Sequence, residues 1–251
     1  MGWGDAFMKE KFIFRVNGLD IEAEFDSRDR ERVFLPLLRH LTNLQRSLNR
    51  RIVVFLAAPP AAGKSTLCLY LEQLSRTEAG LVPVQSVGID GFHYPQAYLD
   101  SHTILRDGQT IPLAKIKGAP ETYDVEKLRG LLAQVNEENQ RWPLYDRRIH
   151  NPVENAVEIR EQILILEGNW LLLDEEPWNR LSCDYSIFLR AGDERQLMRI
   201  VQRKMLGGFD EATARAFVRS NDAPNIARCM DRSRRGDLNL QYAGDGTLEE
   251  I

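Results

Sequence analysis

Residues 51–66 read RIVVFLAAPPAAGKST. The opening Ile52-Val53-Val54-Phe55-Leu56 is a continuous apolar run, as expected of a strand buried on both faces of a parallel sheet. The close, Gly63-Lys64-Ser65-Thr66, leads into a helix expected over 64–75. From Ala58 to Ser65 the chain fits the pattern GxxxxGK[ST] at every position except the first. In such a loop, successive backbone N–H groups turn inward and the following helix adds the positive end of its dipole. Phosphate oxygens are what this cradle suits. The spacing gives Ala58, Pro59, Pro60, Ala61, Ala62, Gly63, Lys64, Ser65 and Thr66 to the phosphates of ATP. Lys64 is expected to reach the β- and γ-phosphates, and Ser65 to offer its hydroxyl to Mg²⁺. Ala58, standing where the pattern has glycine, demands a backbone that tolerates a Cβ at that turn.

Three further strands are expected downstream. One spans 84–89 and ends at Asp90, one spans 163–166 and ends at Glu167, and one spans 185–189 and ends at Arg190. Strands alternating with helices predict an α/β fold of the P-loop NTPase type, a parallel sheet with helices on both faces. In open sheets of this kind, ligands bind at the carboxyl ends of the strands. Loop amides, two carboxylates and a guanidinium would then share one edge. The segment 91–122 has little periodicity, and connections of that length are often functional. Asp124 is suited to cap a helix carrying Val125, Leu128, Leu131, Leu132 and Val135. A later helix, over 194–205 after an Asp193 cap, presents Arg195, Arg199 and Arg203 at i, i+4 and i+8. Upstream, two short apolar-alternating runs flank Asn17-Gly18, a pair suited to a tight hairpin turn. An amphipathic helix follows over 32–48. Residues 1–48 thus read as a hairpin–helix appendage, and 49–251 as the main domain.

Two acidic segments compete for the metal side of the phosphate site. Ile163-Leu164-Ile165-Leu166 leads to Glu167, and Trp170-Leu171-Leu172-Leu173 leads to Asp174-Glu175. Only three residues separate Glu167 from Leu171, too few for another crossover to a parallel strand. Glu167 is therefore preferred, with Asp174 and Glu175 expected at a solvated helix start. No Asn-Lys-x-Asp sequence occurs, which disfavours a guanine nucleotide.

The bulk numbers bound the answer. The 251 residues are 43% hydrophobic and 28% charged, an ordinary globular balance. A net charge of −4 offers no basic excess for nucleic acid. The three cysteines, Cys68, Cys183 and Cys229, are scattered and read as free thiols in a reducing compartment. The start MGWGDAF has no signal-peptide core, and Ala6 stands where N-myristoylation needs Ser or Thr. A soluble cytoplasmic protein, with no membrane or nucleic-acid partner, is the expectation.

Several motifs occur in one order: Gly63-Lys64-Ser65-Thr66, Asp90-Gly91-Phe92-His93-Tyr94, Lys117-Gly118-Ala119-Pro120-Glu121-Thr122-Tyr123-Asp124, Pro143-Leu144-Tyr145-Asp146 with His150, and Ile165-Leu166-Glu167-Gly168. That series resembles the uridine kinase, phosphoribulokinase and bacterial pantothenate kinase group of P-loop kinases, over roughly residues 51–230. The Lys117–Asp124 segment looks most like pantothenate kinases. The resemblance implies MgATP as phosphoryl donor and a small-molecule hydroxyl as acceptor. It implies that Asp90 takes the acceptor's proton, that Glu167 serves Mg²⁺ with Ser65, and that Lys64 with the lid arginines Arg199 and Arg203 acts on the transferring group. Tyr145 and His150 would line the acceptor pocket, joined by His93, Lys117, Arg148 and Asn225. Uridine kinases usually place an aromatic between the Tyr-Asp pair and the histidine. Here Arg147-Arg148-Ile149 fill the interval, which favours an anionic acceptor over a neutral base. The rival reading is a regulatory or assembly ATPase with no acceptor. A homodimer is left open.

Overall fold

The computed structural model describes residues 9–16, 19–106, 108–191 and 194–251. The first eight residues, the Asn17-Gly18 turn and the Asp193 cap lie outside the described residues.

Strands β1 (Lys9–Val16) and β2 (Leu19–Asp26) form an antiparallel hairpin. Asp26 caps the next turn, its side chain accepting from the Arg28 N–H at 2.9 Å. Short α1 (Ser27–Asp29), a π-turn (Arg30–Phe34) and α2 (Leu35–Leu48) then run on without a break. The helix expected from residue 32 thus begins five residues earlier, at Ser27. Pro36 lies in the first turn of α2, where its missing N–H and its ring are tolerated beside a widened turn.

The main sheet has six strands in the order β12-β11-β10-β3-β9-β4. Its members are β3 (Ile52–Ala57), β4 (Val84–Gly88), β9 (Ile163–Gly168), β10 (Tyr185–Arg190), β11 (Leu238–Tyr242) and β12 (Leu248–Glu250). The first five are parallel, and only β12 runs antiparallel, against β11. The four strands expected from the sequence sit side by side as β10-β3-β9-β4. β11 and β12 extend the β10 edge.

Alternation on these strands divides the core. Ile52, Val54, Leu56, Ile163, Ile165, Ile187 and Leu189 face a cluster built with α2 and α3 (Lys64–Thr77). Val53, Phe55, Leu164, Leu166 and Phe188 face a second cluster with Trp142, Trp170, Trp178 and Leu128. Every residue of β3 is buried. Each such side chain contributes about 1.5–3 kcal/mol on burial, so this strand is firmly fixed, and the loop that follows it inherits that rigidity.

The remaining elements are smaller. A 3-10 turn (Ile89–Phe92) closes β4. The segment expected to be irregular holds α4 (Gln96–Ser101) and a hairpin of β5 (Thr103–Arg106) and β6 (Gln109–Pro112). Helix α5 (Val125–Ala133) is capped as expected, Asp124 Oδ1 accepting from the Lys127 N–H at 3.0 Å. A second hairpin joins β7 (Arg141–Asp146) to β8 (Asn151–Glu158). Helices α6 (Glu194–Leu206), α7 (Glu211–Phe217) and α8 (Ala223–Arg232) complete the chain. No helix among the described residues is long and apolar enough to cross a membrane.

Candidate active site

The loop after β3 explains how Ala58 is tolerated. Ala58 is fully buried and does not stand among the residues with left-handed φ. The left-handed positions are Ala61 (φ 59°) and Gly63 (φ 91°). The turn that needs glycine lies at Gly63, so a Cβ at residue 58 meets no backbone conflict. Ala61 bears the strain instead, about 1–2 kcal/mol for a residue with a Cβ, and strain of this kind is concentrated at ligand loops. The loop is tied at 3.3 Å from the Ala58 N–H to the Gly168 carbonyl, and at 3.3 Å from the Ala62 N–H to the Pro59 carbonyl. Gly63 opens α3 without any side-chain cap, so the first amides of that helix are left for a ligand. Thr66 instead turns its hydroxyl back, donating to the Gly63 carbonyl at 2.8 Å.

Beside this loop, Ser65 donates its hydroxyl to Glu167 Oε1 at 2.6 Å. Burial pushes the Glu167 carboxyl above its ordinary range; Lys64 opposes that rise, Asp90 adds to it, and the Ser65 hydrogen bond and Arg147 oppose it. Register explains the crowding of charge. Glu167 on β9 pairs with Leu56 on β3 and with Gly88 on β4. A Cβ on Gly88 would stand 3.2 Å from Glu167 Oε1, so the missing side chain is the space the carboxylate uses. Hard oxygen donors, one of them a half-buried carboxylate whose ionised form needs a counter-charge, fit Mg²⁺. Asp174 is exposed and Glu175 is paired with Arg228, so the other acidic segment stays clear of this site.

Asp90 lies two residues past Gly88. Its carboxylate is 44% exposed, accepts from Tyr123 Oη at 3.4 Å, and lies 3.9 Å from an Arg147 guanidinium nitrogen. Gly91 allows β7 to approach, since a Cβ there would fall 2.3 Å from the Pro143 carbonyl oxygen. His93 is buried, its Nδ1 2.9 Å from the Asp90 carbonyl oxygen and its ring 3.8 Å from that of Tyr123. That contact requires the proton on Nδ1, and burial lowers the imidazole's pKa. His93 thus forms a buried wall of the site beside Tyr123.

The other expected acceptor-side residues fall into two groups. Lys117 and Tyr145 meet beside His93: the Lys117 ammonium is 5.2 Å from the Tyr145 ring centroid, and that ring is 5.5 Å from His93. His150 and Arg148 are exposed at the β7–β8 turn. Arg148 pairs with Asp146 at 2.9 Å and is 90% exposed. His150 offers its backbone carbonyl to Lys117 at 3.1 Å. Arg147, and not Arg148, turns toward Asp90, while Arg148 is held by Asp146. Asn225 is buried in the first turn of α8.

Helix α6 crosses the phosphate loop. Gln196 donates to the Pro60 carbonyl, and Arg199 donates to the Ala61 carbonyl at 3.4 Å. Arg203 is exposed. Desolvation and Arg147 lower its guanidinium's pKa while Asp222 and Asp90 act against them. The Arg195 side chain lies outside the described residues. Tyr242, at the end of β11, stands with its hydroxyl 3.5 Å from the Ala62 carbonyl oxygen and was not foreseen. Tyr123 and Gln96 were missed as well. Tyr123 sits inside the quoted Lys117–Asp124 segment, which was a usable signal; the five-residue strand of Tyr242 and the irregular context of Gln96 gave none. Two cavities, about 400 and 270 Å³, are lined by none of these residues.

No family model matches the chain. It is 41% identical over 239 residues to YggC of Escherichia coli (strain K12), a protein described as uncharacterized, covering 94% of this chain and 97% of that one. It is 30% identical over 201 residues to a Schizosaccharomyces pombe protein with the provisional name uridine kinase C227.14, covering 76% and 83%. It is 32% identical to the pantothenate kinase of Paenarthrobacter aurescens, covering 68% of this chain and 55% of that enzyme. Among solved structures, one from Silicibacter sp. TM1040, provisionally titled a fructose transport system kinase, superposes with TM-score 0.68 at 29% identity, covering 79% and 98%. With the phosphate loop, Glu167 and Asp90 held on neighbouring strand ends, the chain belongs to the P-loop kinases of the uridine kinase and pantothenate kinase group.

Proposed function

We propose that the protein transfers the γ-phosphoryl group of MgATP to an alcohol group on a small metabolite. The observation that carries this reading is the separation of two carboxylates on adjacent strands. Glu167 is half-buried and bonded to the Ser65 hydroxyl at the phosphate loop, and Asp90 stands half-open beside Tyr145 and Arg147. One carboxylate suits a metal and the other a proton.

In the reaction, the acceptor oxygen bonds to the γ-phosphorus as the bond from that phosphorus to the β–γ bridging oxygen breaks. ADP leaves, and the hydroxyl proton passes to Asp90. The hydroxyl becomes acidic only as its new bond forms, so Asp90 assists late. Lys64 and the loop amides hold the phosphates, and Arg199 and Arg203 lie where charge spreads over the transferring group. Ser65 and Glu167 would hold Mg²⁺, which when bound neutralises charge on the β- and γ-phosphate oxygens.

The relatives' names point to uridine, pantothenate and a fructose transport system. A hydroxyl on a small molecule is common to all three. The test is ADP release by purified protein with MgATP, against nucleosides, sugars, sugar phosphates and hydroxy acids. Acceptor-dependent release is expected. Hydrolysis that no acceptor accelerates would favour an ATPase in a regulatory or assembly role.

A further inference from the structure

We infer that the acceptor is an anion and that Arg147 and Lys117 bind its charged group, a carboxylate or a phosphate; this rests on the kinase reading above. Arg147 has five N–H donors, and among the described residues none is engaged in a hydrogen bond. Its one ion pair among the described residues is the 3.9 Å approach to Asp90, too long for a hydrogen bond, and the side chain is only 37% exposed. Lys117 donates to Gln96 Oε1 at 2.7 Å and to the His150 carbonyl at 3.1 Å, both uncharged. Among the described residues no carboxylate lies within ion-pair distance of it, and the acid that acts on it, Asp100, does so only at longer range. An ammonium has three donors, so one of them remains for a ligand.

Both cations border the same space. Each acts electrostatically on the buried His93, as Asp90 does, and the Tyr145 ring lies under Lys117 and within range of Arg147. The contrast with other cations is sharp. Arg148, one residue on, is paired at 2.9 Å, and Arg228 is bonded to two carboxylates. A partly buried cation without a counter-charge carries an uncompensated desolvation cost. Such a cost is relieved where a ligand brings the missing charge. The triphosphate already has Lys64, Arg199 and Arg203. Arg147 and Lys117 share His93 and Tyr145, on the side of Asp90 where the acceptor must sit, and Arg147 is also within electrostatic range of Arg203 and Glu167. A neutral sugar or nucleoside would bury both cations further and pair neither, so it would be discriminated against.

The test uses the full chain with MgATP and matched acceptors: gluconate beside glucose, ribose 5-phosphate beside ribose, and pantothenate beside its alcohol, with fructose as a further neutral sugar. At least one anion is expected to exceed its neutral partner about tenfold or more in kcat/KM. The carboxylate and phosphate arms tell which group is read. Arg147→Ala and Lys117→Met should each raise the KM for that anion about tenfold, the worth of one charge-assisted hydrogen bond, with a smaller change in kcat and in the KM for ATP. Arg147→Lys should restore part of the affinity, which a merely structural arginine would not do. Equal use of the neutral partners, or a rise in the KM for ATP in place of that for the acceptor, overturns this inference and leaves the kinase reading standing. ATP binding without ADP release above background for any acceptor overturns the kinase reading itself, and this inference with it.

Discussion

Asp90 is placed by its neighbours more than by its own contacts. Its carboxylate is held by one long hydrogen bond from Tyr123 and a distant Arg147, while Gly91 locks the turn against β7. A carboxylate so lightly engaged is free to take a proton. Asp90→Asn keeps the size and removes the proton acceptor. General-base assistance is typically worth about 10²–10⁴-fold, so phosphorylation of the acceptor should fall by a factor in that range while equilibrium ATP binding with Mg²⁺ persists. Loss of ATP binding together with activity would move Asp90 to the metal side, and full activity would remove its catalytic role. At this scale the sequence was most legible where a residue ends an apolar strand. Asp90 and Glu167 follow from that rule, and Lys64 and Ser65 from the loop pattern that comes after β3. It was least legible at the β7–β8 turn. Arg148 was expected at the acceptor, yet it lies on the exposed side against Asp146, and Arg147 faces the site. Which of two adjacent arginines turns inward depends on the hairpin's register, which no periodicity in 141–158 reveals.

Among the elements, α6 brings Gln196 and Arg199 against the phosphate loop. Its buried face, with Ile200 and Val201, packs against α7, α8 and the turn between them through Ala214, Ile226 and Val218. Its polar face reaches the loop through Gln196 and Arg199. Among the described residues Arg203 makes no ion pair, and it lies within electrostatic range of Asp90 and Arg147, where negative charge would develop during transfer. Arg203→Ala should therefore lower kcat by about 10²-fold or more and raise the KM for ATP far less. Arg199→Ala should act in the same direction. Unchanged kinetics in both variants would reduce the stripe to a solvated basic face. Helices and strands with strong apolar patterns were legible in the chain: β3, β4, β9, β10, α3 and α5 stand where the pattern puts them. The hairpins β5–β6 and β7–β8 and the edge strands β11 and β12 were not. β5, β6 and β12 are short, several residues of the hairpins face solvent, and β7 and β8 each carry a proline, so local pattern gives way to tertiary pairing.

For the molecule as a whole, the question is what residues 1–48 do. They read in the sequence as an appendage. In the fold, Phe14, Phe34, Leu35, Leu37, Leu38 and Leu41 are buried in one cluster with Ile52, Val54, Leu71 and Leu74. Phe25 stacks on Tyr70 at 4.1 Å, which ties the hairpin to the same helix that opens at Lys64. The Asp29 carboxylate accepts the Leu248 N–H at 3.0 Å, so the segment also holds β12 beside the strand that carries Tyr242. Periodicity could not reveal this, because an amphipathic helix declares an apolar face without declaring its partner. At about 1.5–3 kcal/mol for each buried side chain, six of them amount to roughly 9–18 kcal/mol. That matches or exceeds the net stability of about 5–15 kcal/mol typical of a domain. A chain beginning at Asn49 should therefore fail to fold, giving insoluble protein or one with no cooperative thermal transition, and it should not bind ATP. Milder evidence should come from Phe34→Ala in the full chain. A buried phenylalanine truncated to alanine typically costs about 3–5 kcal/mol, so the unfolding midpoint should drop by several degrees, with the KM for ATP little changed at temperatures where the variant stays folded. If the chain from Asn49 instead unfolds cooperatively and binds MgATP normally, residues 1–48 are a separable appendage, and the face of the sheet they cover must be stable without them.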